Sequence, residues 1–238
     1  MSYKAITEAL NDLSINKNVS ILQRFFKTGK GEYGEGDTFI GVKVPDQRLV
    51  AKEYFKSTSL KDISKLLKSN VHEHRLTAAI ILTYQYNAQK KDFNKQKEIV
   101  DFYLAHRKYI NNWDIVDSST HKIIGPYVEK TTNTQLLFDL AQEESIWSKR
   151  IAIVSLWHLW KCNYTALGLQ LIELNLTHTH DLIQKANGWM LRELGKIDET
   201  SMLAFLEKNY DILPRTSLRY AIEKIDAFKR AAILKGNF

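Results

Sequence analysis

The sequence predicts an all-α fold, an α-α superhelix built from repeated helical pairs. Three observations carry that prediction. Apolar residues recur at helical spacing through nearly every segment. Turn formers are scarce, with 3 Pro and 10 Gly in 238 residues, too few for the many turns of an all-β chain. A long apolar helix that opens near a basic residue also returns at a regular interval along the chain.

The helical pattern places helices near 2–13, 18–27, 46–57, 60–68, 72–88, 94–107, 113–129, 133–143, 147–161, 164–174, 180–196, 200–209, 214–224 and 226–235. The first is amphipathic, with Ile6, Ala9, Leu10 and Leu13 on one face. Pro45 and Pro214 suit a first helical turn, where a missing N–H costs nothing. Ser59, with Asp62 three residues on, makes a loose capping box ahead of a short helix. The one long irregular stretch is 28–44, which holds five of the 10 glycines and so needs backbone freedom that helices do not.

The repeat appears when Arg75, Arg150, Lys185 and Arg219 are aligned near the starts of long apolar helices. Arg150 to Lys185 is 35 residues and Lys185 to Arg219 is 34. The 75 residues from Arg75 to Arg150 leave room for one more member, near residue 113. Each long helix follows a shorter one, the mark of a solenoid of HEAT-like helical repeats. One turn after the aligned position come Ala79, Asp117, Val154, Trp189 and Glu223. Trp113 and Asp117, at i and i+4, share a helix face. The register therefore predicts that Trp113, Asp117, Arg150 and Trp189 line one concave strip. No linker or shift in composition divides the chain, so a single domain over 1–238 is expected.

Composition narrows the function. A net charge of +7, from 34 basic and 27 acidic residues, permits a polyanionic partner. No apolar run is long enough for a membrane span, and the N-terminus has no signal-like run. Cys162 is the lone cysteine, so no internal disulfide forms, in keeping with a reducing cytoplasm. It follows an apolar run and reads as a buried, inert thiol. His72 and His74, like His178 and His180, are i and i+2 and do not face each other on a helix, so no metal is expected. Segment 28–44 lacks the Gly-Lys-Ser/Thr of a phosphate-binding loop, and Glu35 and Asp37 would repel a phosphate. It reads either as a structural loop or as a DNA-facing element carrying Lys27, Lys30, Tyr33 and Lys43.

Four motifs occur in order: Phe39-x-Gly41-x-x-x-Pro45, Trp113-Asp114-Ile115-Val116-Asp117, Trp147 with Arg150, and Gly188-Trp189-Met190-Leu191-Arg192-Glu193. On these residues the sequence resembles the AlkD-type DNA alkylation repair glycosylases over essentially its whole length. The resemblance implies a monofunctional glycosylase that excises cationic N3- or N7-alkylated purines from double-stranded DNA and leaves an abasic site. It assigns Asp117 to stabilise the oxocarbenium sugar and place the attacking water. Trp113 and Trp189 would clamp the damaged nucleotide, and Arg150 would hold a phosphate. Lys149, Lys185, Arg219 and Lys43 join Arg150 as expected DNA contacts. The family is understood to leave the base stacked, so no cofactor, metal or Schiff-base lysine is implied. Some relatives probe the minor groove with an N-terminal helix, and here a longer Gly-rich insertion precedes Phe39. A monomer is expected.

Other roles stand beside these. Asp114 or Asp117 near a helix start can simply offset the helix dipole. Trp157 and Trp160 read as core or as inter-helix packing. Arg150 can be structural, and Arg192 with Glu193 can form a structural network. Two other functions stay open: a non-catalytic DNA-binding paralogue selective for DNA structure, and a protein-interaction scaffold.

Overall fold

A computed structural model of the chain describes residues 2–238. They form fourteen α-helices and one isolated backbone bridge, with no strand among the described residues. None of these helices is long and apolar enough to cross a membrane. The chain packs as two compact units, residues 1–123 and 124–238.

The first unit holds α1 (Ser2–Asp12), α2 (Asn16–Phe25), α3 (Val44–Tyr54), α4 (Leu60–Leu67), α5 (His72–Ala88), α6 (Phe93–Ala105) and the first part of α7 (Trp113–Thr131). Its centre is α5. From His72 to Thr83 every residue of that helix is buried, which is why its sequence is apolar or paired all round rather than on one stripe. α3, α4, α6 and α1 pack against it. In α1 the predicted face is shorter than expected: Ile6 and Leu10 are fully buried, whereas Leu13 lies past the helix end and is 40% exposed. Pro45 occupies the first turn of α3, and Ser59 caps α4 by accepting the Asp62 N–H. The capping box is half made, because the Asp62 carboxylate turns to Lys65 at 2.9 Å.

The second unit contains the end of α7, then α8 (Gln135–Gln142), α9 (Ile146–Leu159), α10 (Thr165–Glu173), α11 (Asp181–Gly195), α12 (Glu199–Lys208), α13 (Arg215–Ala221) and α14 (Ala227–Ile233). α9 packs on α8, α10 and α11, and α11 in turn on α12 and α13. Pro214 sits one place earlier than the sequence suggested, as the residue that precedes α13 rather than in its first turn.

The repeat is visible in the element order. α5, α7, α9, α11 and α13 are the five aligned helices, and each follows another helix: α4, α6, α8, α10 and α12. The all-α class and its organisation in helical pairs are thus as the sequence predicts.

Segment 28–44 is irregular but well fastened. The Thr38 N–H donates to the Asn70 carbonyl at 2.9 Å, and the His72 N–H to the Thr38 carbonyl at 2.8 Å. The Glu73 carboxylate accepts the Gly41 N–H at 2.8 Å and the Ile40 N–H at 3.1 Å. Gly41 is required twice over: its φ is +83°, and a Cβ there would lie 2.2 Å from the Ile15 carbonyl oxygen. Acidic side chains of the segment, Glu35 of the pair noted above among them, bond to its own backbone. Glu32 accepts the Gly29 N–H and Glu35 the Gly31 N–H, each at 2.8 Å.

Candidate functional site

The start of α7 carries Trp113, Asp114 and Asp117, and it is held by a buried polar network. Asn112, fully buried, accepts the Trp113 N–H through its side-chain oxygen at 2.8 Å and so caps the helix. Its amide reaches Asp37 at 3.4 Å. Asp37 also pairs with Arg75 at 2.6 Å and His72 Nδ1 at 3.1 Å. The other nitrogen of His72 meets Asp114 at 2.8 Å. One imidazole therefore bridges two carboxylates, from the insertion and from α7. Ile115 and Val116, next along the motif, are fully buried.

The electrostatics follow from this pairing. Burial works against a charge on His72, but the Asp114 carboxylate, with help from Asp37, overrides it and raises the pKa to about 9. His72 is thus an imidazolium at neutral pH. Burial would push Asp37 up, yet its bonds to His72 and Arg75 hold it below the usual carboxylate value. His74, two residues on, makes a separate contact with the Ser69 hydroxyl at 2.9 Å. Burial, and then Arg75, pull its pKa down to about 4.

Asp114 is buried and engaged with His72. Asp117, one turn on, is half-buried. Trp113 is half-buried too, and one ring face is covered. The Phe26 ring stacks on it at 5.2 Å between centroids, 19° apart, and Phe25 touches it edge-on at 5.7 Å. Phe26 also stacks with Phe39, and both rings pack against His72. A cavity of about 260 Å³ opens beside this stack, lined by Phe26, Phe39, His72, Asp114, Gln47 and Lys43 among others. Lys43 is exposed, at the residue before α3.

In the second unit, Arg150 is 5% exposed and donates to the Leu182 carbonyl, tying α9 to the start of α11. Lys149 donates to the Ala141 carbonyl at 3.0 Å, and Lys185 pairs with Asp181 at 2.8 Å. Arg219 is exposed on α13. Trp189 is half-buried; its indole N–H donates to Glu193 at 3.2 Å and its ring meets Trp157 at 5.2 Å. The final motif is now physically legible. Gly188 lets α11 and α13 approach, since a Cβ would lie 2.4 Å from the Ser217 carbonyl oxygen. Glu193 holds Trp189 and receives Lys196 at 2.7 Å, while Arg192 pairs with Glu223.

The family profile of the DNA alkylation repair enzymes matches residues 6–225. The chain belongs to that family. No curated protein matches it. A solved structure described as a predicted DNA alkylation repair enzyme from Enterococcus faecalis shares the fold, with a TM-score of 0.70 at 17% identity over 89% of this chain and 96% of that one. The structure of smu.31 from Streptococcus mutans UA159 matches with a TM-score of 0.54 at 19% identity, over 77% and 93% of the two chains.

Sequence reasoning missed the Asp37–His72–Asp114 bridge in this DNA alkylation repair protein. The only signals were His72 and Arg75 at the head of an apolar helix, and the partners lie 35 and 42 residues away. It also misplaced Cys162. That thiol is half-buried rather than buried, 3.8 Å from His158 Nε2, because it lies on the short 3-10 turn Trp160–Cys162 after α9 and not within the apolar helix. Trp160 is core at 1% exposure, and the half-buried Trp157 packs between helices against Trp189, both as expected.

Proposed function

We propose that this protein is a monofunctional DNA glycosylase that excises cationic N3- and N7-alkylated purines from double-stranded DNA. The observation that carries the reading is Asp117, a half-buried carboxylate one turn beyond the half-buried Trp113, on a helix start fixed by buried hydrogen bonds. The fixed helix start sets the position of the Asp117 backbone, and a carboxylate placed in advance of the developing charge is what electrostatic stabilisation needs.

The chemistry asks little of the protein. When the C1′–N bond breaks, the bonding electrons neutralise the cationic base, which leaves without prior protonation. Positive charge passes to the sugar, where Asp117 stabilises it. Water adds at C1′ and gives up a proton, for which Asp117 is the acceptor. The product is an abasic site. Trp113 and Trp189 supply indole faces for the cationic nucleotide and the sugar. Lys43, Lys149, Lys185 and Arg219 are proposed phosphate contacts, which set register without reading sequence. Arg150 offers a phosphate only its small exposed edge, so its proposed role combines contact with fixing α9 against α11. The protein acts as one DNA-binding domain, a monomer in the cytoplasm, without a cofactor for the base-release step.

The test is base release from duplex DNA carrying a single N7-methylguanine. Wild type releases the base, and Asp117→Asn, which keeps the shape and removes the charge, slows release by on the order of a hundredfold. One observation favours a second reading, a non-catalytic DNA-binding paralogue: Phe26 occupies a face of Trp113. Salt-sensitive binding that is equal for damaged and undamaged duplex, with no release, would establish that reading instead.

A further inference from the structure

A side-chain cluster in the second unit lies outside the residues assigned to base excision. Glu129 is near the end of α7, His158 is in the last turn of α9, and Cys162 is on the 3-10 turn that follows. His158 and Cys162 are i and i+4, so they share a face. Their donor atoms converge with that of Glu129. His158 Nε2 is 2.6 Å from a Glu129 carboxylate oxygen and 3.8 Å from Cys162 Sγ, and all three atoms lie within 4.8 Å of one another.

The convergence is held from the buried side. Gly125 sits one turn before Glu129, and a Cβ there would fall 2.6 Å from the His158 Cβ and 3.0 Å from the Ser155 carbonyl oxygen. α7 and α9 thus approach at a point that only glycine permits, and that approach sets Glu129 on His158. Cys162 is fixed through Trp160, two residues earlier. The Trp160 indole N–H donates to the Met190 carbonyl at 2.9 Å. Its ring lies over Gly168, whose Cβ, if present, would be 2.3 Å from it. The donor atoms face outward from these anchors: Glu129 is exposed, and His158 and Cys162 are half-buried.

We propose that Glu129, His158 and Cys162 form a surface site for one zinc-class divalent ion, with three protein donors and a fourth position open. Zinc bonds of about 2.0–2.3 Å to N, O and S put tetrahedral donors about 3.5 Å apart. The sulfur–nitrogen separation is already close to that, and the carboxylate needs only a small rotation outward. The donor set selects the ion: a thiolate and an imidazole suit zinc or cobalt, whereas magnesium and calcium want oxygen alone. On binding, the thiol proton leaves to solvent, and the neutral His158 imidazole carries its proton on Nδ1 so that Nε2 meets the ion. None of the three residues belongs to the proposed glycosylase set, so the site is separable from base release.

The experiment is a Co²⁺ titration of the chelator-stripped full chain, followed by absorbance. One equivalent is expected to produce a thiolate-to-cobalt charge-transfer band in the near ultraviolet, which Zn²⁺ then abolishes. Cys162→Ala loses the band, His158→Ala weakens binding at least about tenfold, and Glu129→Gln weakens it less. Circular dichroism confirms that each variant is folded, and the wild-type titration stands even if one is not. The proposal is overturned if folded wild type gives no thiolate band at one equivalent, or if His158→Ala binds as tightly as wild type. Weak uptake of several ions without the band, the pattern of scattered surface histidines, overturns it equally.

Discussion

The imidazolium bridge between Asp37 and Asp114 gives the first unit a stability that depends on pH in a defined direction. The perturbation is a pH rise from 6.5 to above 9, in wild type and in His72→Gln. In the folded protein the His72 pKa is raised from the ordinary 6.5 to about 9. The folded state therefore holds a proton that the unfolded chain releases between those values. Its contribution is complete below pH 6.5 and is lost as pH climbs through about 9. The gap between the two values corresponds to about 3 kcal/mol. His72 is 2% exposed, so solvent screening reduces this little. Set against a usual total of about 5–15 kcal/mol, the loss is a large fraction. His74 acts in the opposite sense: its folded pKa is about 4, so stability falls as pH drops from 6.5 toward that value. The two histidines together place the optimum near pH 6.5. Urea unfolding at constant ionic strength, followed by circular dichroism, measures the alkaline limb. His72→Gln is expected to be less stable at pH 6.5, because two buried carboxylates lose their shared cation, and to show no further loss between pH 6.5 and 9. Equal alkaline slopes in wild type and His72→Gln would refute the argument.

Two other predictions use packing and charge. Gly188→Ala puts a methyl group 2.4 Å from the Ser217 carbonyl oxygen and 2.5 Å from the Tyr220 Cβ, forcing α11 and α13 apart; a loss of about 1–3 kcal/mol is expected in thermal or urea unfolding, and an unchanged melting temperature would contradict the close approach. Lys43→Gln and Arg219→Gln, at exposed positions, should each weaken binding to any duplex and lower the slope of log affinity against log salt by about 0.9 for each phosphate no longer neutralised. A variant that leaves the slope unchanged removes its residue from the proposed interface.

Much of this protein was legible in its sequence because the signals are local. Helix positions follow from the spacing of apolar residues, and helical hydrogen bonds join residues four apart, so the pattern and the structure share one period. The repeat, the Ser59 cap and the identity of the aligned helices come from the same source. The motifs placed Trp113, Asp117 and Trp189 on helices, and the structure leaves all three half-buried. What the sequence did not contain was the meaning of its polar and glycine positions. Asp37 stands in a loop that looked ill-suited to anions, and only packing on α5 and α7 makes it the shared acceptor of Arg75 and His72. Asp114 and Asp117 are indistinguishable by residue type. Folding buries the first against His72 and leaves the second partly open, a difference set by what packs on each turn of α7 and not by helix periodicity, which puts residues three apart on nearly the same face. The physical need for glycine at positions 41, 125 and 188 is likewise absent from the sequence, since each is defined by a backbone or side chain that arrives from 26 to 33 positions away. Short-range periodicity thus determined the helices, whereas tertiary contact decided which charges are neutralised, which faces are covered and which donor atoms meet.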